Sequence, residues 1–285
     1  MRISERARQY VKAGLVALTP GRHRPEWIDW HPAPMVEGSF VVFTAADSLY
    51  FRKFGPAFLS SLVRQHPSVN VHFHLFDPDM DTLEILRQWQ ARLPSATIGH
   101  SRERLPMRAL RIPGKAHAKQ SWKSLYICCS RFLAAQHLQR RCAASVLLMD
   151  IDVLFASRVD AMFAGADCAL MPRLDQKNWC KRTLGGVVFA SSSPLGRAFL
   201  DHACLHIRKF LTLGLYWFAF DQYALYRALR YTRQRDGLAG FRALTPNHVS
   251  FDVSASAPIL YPKGKRKDAA AFNLLANDAI VAGQP

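Results

Sequence analysis

Acidic side chains are scarce in this sequence: 21 Asp and Glu stand against 38 Lys and Arg, a net charge of +17. That balance favours anionic partners such as phosphates, nucleic acid, acidic polysaccharide or a membrane face, without choosing among them. Long apolar runs are also missing. The longest, Phe210–Phe220, ends at Asp221, well short of the ~20 residues that a spanning helix needs. Met1–Leu18 scatters Arg2, Arg6, Arg8 and Lys12 through its length, so no signal peptide is expected. The six cysteines (Cys128, Cys129, Cys142, Cys168, Cys180 and Cys204) form no C-x-x-C pair. No H-x-x-x-H-type pair stands near cysteine partners, and His72, His74 and His117 read as structural or surface residues. The thiols read as buried groups in a reducing, cytoplasmic setting, with a disulfide between distant members left open. There is no internal repeat and no low-complexity segment.

What is present is ordinary globular material: 285 residues, 49% apolar and 21% charged, enough for one large α/β domain with appendages. Residues 1–38 read as a basic N-terminal appendage, a short helix followed by a Pro- and Trp-containing stretch. From residue 39 the pattern changes. Phe40–Phe43 is a continuous apolar run, the mark of a strand buried on both faces. A helical pattern over Gly55–Gln65 follows, then a strand at Val69–Phe76 and a helix at Asp79–Leu93 capped by Asp79 or Asp81. This βαβα order predicts a parallel sheet with right-handed crossovers. Ser101–Lys123 is strongly basic, and its first half reads as a loop. A helix over Ser124–Arg141 delivers the chain to the strand Ser145–Met149. Further strands are expected at Cys168–Met171 and Gly185–Ala190, with helices at Val159–Phe163, Leu195–Leu213 and Trp217–Arg230. The chain from Tyr231 on reads as loop-rich, with a terminal tail over 268–285.

The most informative segment is Val146–Phe155. A buried strand runs into Asp150 and Asp152, and the i, i+2 spacing in extended chain puts both carboxylates on one side. Carboxyl ends of parallel strands are where open α/β sheets bind ligands. Two carboxylates there cannot stay buried and unpaired. A hard cation, Mg²⁺ or Mn²⁺, sharing their oxygens with a diphosphate would satisfy them. A strand-end Asp that only caps the next turn is the alternative.

The run Leu147–Phe155 resembles the D-x-D strand of nucleotide-sugar glycosyltransferases of GT-A fold, in particular the family-eight, glycogenin-like and galactosyltransferase-like group and its bacterial relatives. The likeness extends over roughly residues 40–267. Val41–Asp47 followed by Tyr50 resembles the opening strand, after which a loop holds the base and ribose, and this implies that Thr44, Ala45, Ala46, Asp47 and Tyr50 contact the nucleotide. Tyr126 and Ser130-Arg131-Phe132 resemble the preceding helix, which implies Arg131 near the diphosphate. Asp150 and Asp152 match the metal carboxylates, with Ile151 between them at the nucleotide. Gly185-Gly186-Val187-Val188-Phe189 resembles the strand beside the sugar, and Asp221-Gln222 the later catalytic pair. Tyr261 to Lys267 has the spacing of the C-terminal phosphate motif, implying roles for Lys263, Gly264 and Lys267. Tyr261 stands where the group has a metal-binding His, and Leu184 where it has Asn.

The resemblance implies a Rossmann-like, mostly parallel sheet flanked by helices over 39–267. It implies metal-dependent, retaining transfer of a hexose from a UDP-linked donor to a glycan or lipid-linked acceptor. The basic surface adds peripheral membrane contact as an expectation. From the residues themselves, Asp47 is a nucleotide contact or a turn cap, and Asp221 a pocket carboxylate or a buried hydrogen-bonded Asp. Two other readings stand beside this one. A catalytically silent GT-A-like domain fits Tyr261 and Leu184. A nucleic-acid-binding protein fits the charge, but no helix-turn-helix, zinc finger or RNP-like motif appears, so no nucleic-acid partner is expected. A nucleotidyltransferase would need a Gly-rich phosphate loop, and Thr44–Tyr50 has none.

Overall fold

The computed structural model describes residues 28–31, 40–106, 122–173, 175–177, 181–213 and 219–262. Its centre is an eight-stranded sheet, built on β1 (Ile28–His31), β2 (Val41–Asp47), β3 (Asn70–Phe76), β4 (Thr97–Glu103), β5 (Val146–Asp150), β7 (Cys168–Pro172), β8 (Thr183–Ala190) and β9 (Phe241–Ala243). The spatial order is β1-β4-β3-β2-β5-β8-β7-β9. The core β4-β3-β2-β5 is parallel, while β8 runs antiparallel to both of its neighbours. A small sheet, β10 (Val249–Ser250), β11 (Ile259–Leu260) and β6 (Leu154–Phe155), lies beside it.

Strand alternation divides the core in two. Val42, Val71, Phe73, Leu147 and Met149 point to one face, where α1 (Ser48–Gln65) and α2 (Met80–Arg92) cover them. Val41, Phe43, Val146 and Leu148 point to the other, against α3 (Trp122–Cys142), α5 (Pro194–Thr212) and α6 (Phe220–Arg235). A single turn, α4 (Asp160–Phe163), closes a connection near β6. The apolar runs seen in β2 and β5 therefore reflect burial on both faces.

Four sequence expectations are corrected. First, β2 runs to Asp47 as the likeness implied, but Thr44, expected to hold the base and ribose, lies inside the sheet and is fully buried. Second, α1 starts at Ser48, seven residues before the expected start, capped by Asp47, whose carboxylate accepts from the Tyr50 N–H at 2.9 Å. Pro56 inside it hides the early turns from a helix reading. Third, Ser101–Glu103 belongs to a strand. Its inward side chains are polar, so the expected apolar alternation is absent. Ser101 and Glu103 are fully buried and joined to β3 and α3: His72 Nε2 and His74 Nδ1 meet Ser101 Oγ at 2.9 and 2.7 Å, His74 Nε2 meets Glu103 Oε2 at 2.8 Å, and the Tyr126 hydroxyl donates to Glu103 Oε1 at 2.7 Å. Fourth, residues 28–31 pair antiparallel with β4 as a sheet edge, although they read as appendage. His72 and His74 are structural, as expected.

Candidate active site

A cleft of about 310 Å³ opens at the carboxyl ends of β2 and β5. Its walls come from six places in the chain: the β2–α1 turn, the first turns of α3, the end of β5, the Leu184–Gly186 segment of β8, the start of α6, and Tyr261 after β11. Arg131 is its centre. The helix places this side chain one or two turns below Ser124, Ile127 and Cys128, which also line the cleft. The guanidinium is 4% exposed and pairs through Nη1 with Asp150 Oδ1. Its Nη2 donates to the Gly185 carbonyl at 2.8 Å and lies 3.5 Å from Asp221 Oδ2. Burial pulls the Arg131 pKa down, but Asp150, then Cys128 and Asp221, outweigh it and raise it above the ordinary guanidinium value. Arg131 therefore stays charged and rigidly aimed.

Asp221 sits in the first turn of α6, 7% exposed, where the helix dipole favours a negative charge. The residue before the helix, Ala219, is left-handed with φ +67°. Burial, then Asp221, push the neighbouring Cys129 thiol well up, so it stays protonated. Gln222 is fixed by its backbone carbonyl, which accepts from Thr183 Oγ1 at 2.6 Å, while its side-chain Oε1 is buried without a hydrogen-bond partner among the described residues. A buried carbonyl left this way costs about 1–3 kcal/mol, which a ligand hydroxyl would recover.

The Gly185-Gly186 pair is dictated by space. A Cβ on Gly185 would lie 2.5 Å from Asp221 Oδ2, and one on Gly186 would lie 2.2 Å from the Tyr261 hydroxyl. Tyr261 is 1% exposed, so its ring cannot swing into solvent. Gly186→Ala is expected to lower stability by about 1–3 kcal/mol through overpacking, read as a reduced thermal midpoint. An unchanged midpoint would mean that the ring yields freely.

No sequence-family model matches the chain, and no curated protein does. Solved structures do. The galactosyltransferase LgtC in complex with donor and acceptor sugar analogues is 13% identical, with a TM-score of 0.53, over 84% of this chain and 96% of that one. The bifunctional glycosyltransferase WbbM in its apo form is 10% identical, TM-score 0.55, over 87% of this chain and 50% of that one. The glycosyltransferase GlyE of Streptococcus pneumoniae TIGR4, apo form, is 13% identical, TM-score 0.52, over 86% and 63%. The chain has the GT-A glycosyltransferase fold.

Within this GT-A frame, Ala45, Ala46, Asp47, Tyr50, Arg131, Asp150, Ile151, Asp152, Gly185, Gly186, Asp221 and Gln222 all line the one cleft. Asp47 does two things at once: it caps α1, and its Oδ2 pairs with Lys123 Nζ at 2.9 Å. Thr44 does not reach the cleft, because β2 continues three residues past it. Lys263, Gly264 and Lys267 lie outside the described residues. Sequence reasoning missed Ser124, Ile127 and Cys128; the signal was there, since counting back from Arg131 by three, four and seven residues follows the same helical stripe. As for a metal, Asp150 and Asp152 supply hard oxygen donors suited to Mg²⁺ or Mn²⁺. Among the described residues no group of three or more His, Cys, Asp or Glu side chains could hold an ion. The Tyr261 phenol packs on Gly186.

Proposed function

We propose that this chain transfers a sugar from a nucleoside-diphosphate donor, UDP-linked, to a glycan or lipid-linked acceptor, with retention and with a hexose as the transferred group. The observation that carries this reading is convergence: a GT-A cleft gathers a buried Arg, two carboxylates of a D-x-D, a third carboxylate and a Gly-Gly strand from segments up to 90 residues apart. In this reading the β2–α1 turn (Ala45, Ala46, Asp47, Tyr50) and Ile151 hold the nucleotide. Asp150 and Asp152 would hold Mn²⁺ or Mg²⁺. When bound, that ion neutralises charge on the departing diphosphate.

The chain's own groups do the rest. Gly185 and Gly186 let the Asp221 carboxylate and the Tyr261 phenol close in on the β8 backbone beside the sugar. Arg131 orients Asp150 and Asp221 and donates toward the donor. As the bond from the anomeric carbon to the diphosphate oxygen breaks, positive charge grows on that carbon, and the Asp221 carboxylate stabilises it in a site where water screens little. Gln222 Oε1 accepts a hydrogen bond from a hydroxyl of the sugar or acceptor. The acceptor oxygen then bonds to the anomeric carbon, and its proton leaves with the diphosphate. The described cysteines are free thiols, which supports a reducing, cytoplasmic setting. No described helix is long and apolar enough to cross a membrane.

The test is calorimetric titration of UDP and GDP, each with and without Mn²⁺, into the wild type and Asp152→Ala. UDP is expected to bind in the micromolar range only with both metal and Asp152 present. UDP binding indifferent to Asp152 would overturn the assignment. No binding of either nucleotide would favour a catalytically silent domain, a reading that Tyr261 supports.

A further inference from the structure

Away from the cleft, the helical layer α5–α6 turns a second charged face to solvent. On α6, Arg227, Arg230 and Arg233 recur every third residue and are exposed, while Ala224, Leu225, Ala228 and Thr232 are buried against the core. Three-residue spacing lines the cations up along one stripe. Lys209 of α5 adds to it. The carboxylates of Asp201 and Asp236, on and beside these helices, are engaged: Asp201 with Arg140 at 2.9 Å and Asp236 with His202 at 3.0 Å. The surplus of positive charge is felt inside the layer. His206, packed 6.3 Å from the Tyr223 ring, is held at a pKa of about 4 by burial first, then by Arg227, Lys209 and His202.

The face is not purely ionic. Leu205 is 43% and Tyr231 39% exposed, and guanidinium groups lie over tyrosine rings, Arg230 over Tyr226 at 5.9 Å and Arg235 over Tyr231 at 5.5 Å. Apolar and aromatic side chains interleaved with cations suit the headgroup region of an anionic bilayer, where the ring sits at the interface and the cation meets phosphate. A nucleic-acid backbone would gain nothing from Leu205.

We propose that the outer face of α5 and α6 docks on an anionic lipid surface. This rests on the surface alone and is independent of the sugar-transfer reading. The first turn of α6 carries Asp221 in the cleft, so a chain lying on this face would hold the cleft at a fixed place beside the membrane.

The test uses the full chain and co-sedimentation with vesicles of phosphatidylglycerol and phosphatidylcholine, compared with phosphatidylcholine alone. Each cation near a negative surface multiplies partitioning about fivefold, so Arg227→Glu/Arg230→Glu/Arg233→Glu should lower binding to the anionic vesicles by about a hundredfold. A charge-matched control, Arg64→Glu/Arg87→Glu/Arg92→Glu, alters α1 and α2 on the opposite side of the sheet and should keep most of the binding. Equal losses in both variants, or none in the first, would overturn the proposal. So would a 30-base-pair duplex that outcompetes the vesicles at equal salt. A second readout needs no variant: the His206 resonance should titrate at higher pH when vesicles are bound, and an unmoved titration in the bound state would also overturn it.

Discussion

Arg131→Ala is expected to cost about 3–5 kcal/mol of stability and to abolish donor turnover. The stability loss follows from what is left behind. Asp150 and Asp221 share this one guanidinium, and its removal takes the buried cation away from both carboxylates, of which Asp221 is buried. Thermal and urea denaturation read this directly. The activity loss follows from aim: the guanidinium fixes both carboxylates and the Gly185 carbonyl around one point, and loss of one preorganised charged donor costs about 10²–10³ in rate. Arg131→Lys keeps the charge but loses the planar fork, and should recover part of the stability and little of the rate. The double variant Arg131→Ala/Asp221→Asn separates the two roles. It lifts one stranded charge, so it should regain stability over Arg131→Ala while remaining inactive. A double variant as unstable as the single would show that the loss came from packing.

The second large effect is acid lability in a window set by histidines. His72 is held well below its ordinary value by burial and then by His74 and His100. Burial, then His31 and Arg102, take His100 to about 4, and His206 sits at about 4 as well. In each case the folded state prefers the neutral imidazole, so the unfolded chain binds more protons between pH 6.5 and 4. The stabilisation is complete above about pH 6.5 and is lost as the pH falls towards 4. His206 alone contributes up to about 3 kcal/mol across that span; His100, more open to solvent, contributes less. The thermal midpoint should therefore fall by about 6–10 °C between pH 7.5 and 4.5, before most carboxylates titrate. His206→Gln should shrink the fall. A flat midpoint over that range would show that these imidazoles titrate at the same pH in the folded and the unfolded chain.

The legible parts of this chain were those where local pattern and tertiary role agree. The run Val146–Met149 into Asp150 announced a buried strand end bearing carboxylates, and Gly185-Gly186 inside a β-branched strand announced a close approach. Cleft residues were legible where they cluster in sequence. What was not legible came from long-range polar pairing. Nothing local to β4 says that Ser101 and Glu103 will be buried, because their partners His72, His74 and Tyr126 lie more than 20 residues away. In the same way, the link between Arg131 and Asp221 spans 90 residues, and the steric fit of Tyr261 over Gly186 spans 75. A pattern reading assigns polar residues to the surface by default. Here the default fails at the buried network beneath the sheet and at the cleft.

The short strand Ile28–His31 has a consequence for how the molecule behaves in a crowd. β4 has seven residues, and without β1 its outer backbone groups would be an open template for another chain. With β1 in place, one end of the sheet offers only four residues, one of them the exposed His31, and the other end offers the three of β9. Asp29 and Arg102 tie that border across the two strands. Among the described residues, a sheet this rich in extended apolar chain thus finishes at both margins in short strands, which give a neighbouring chain little backbone to pair with.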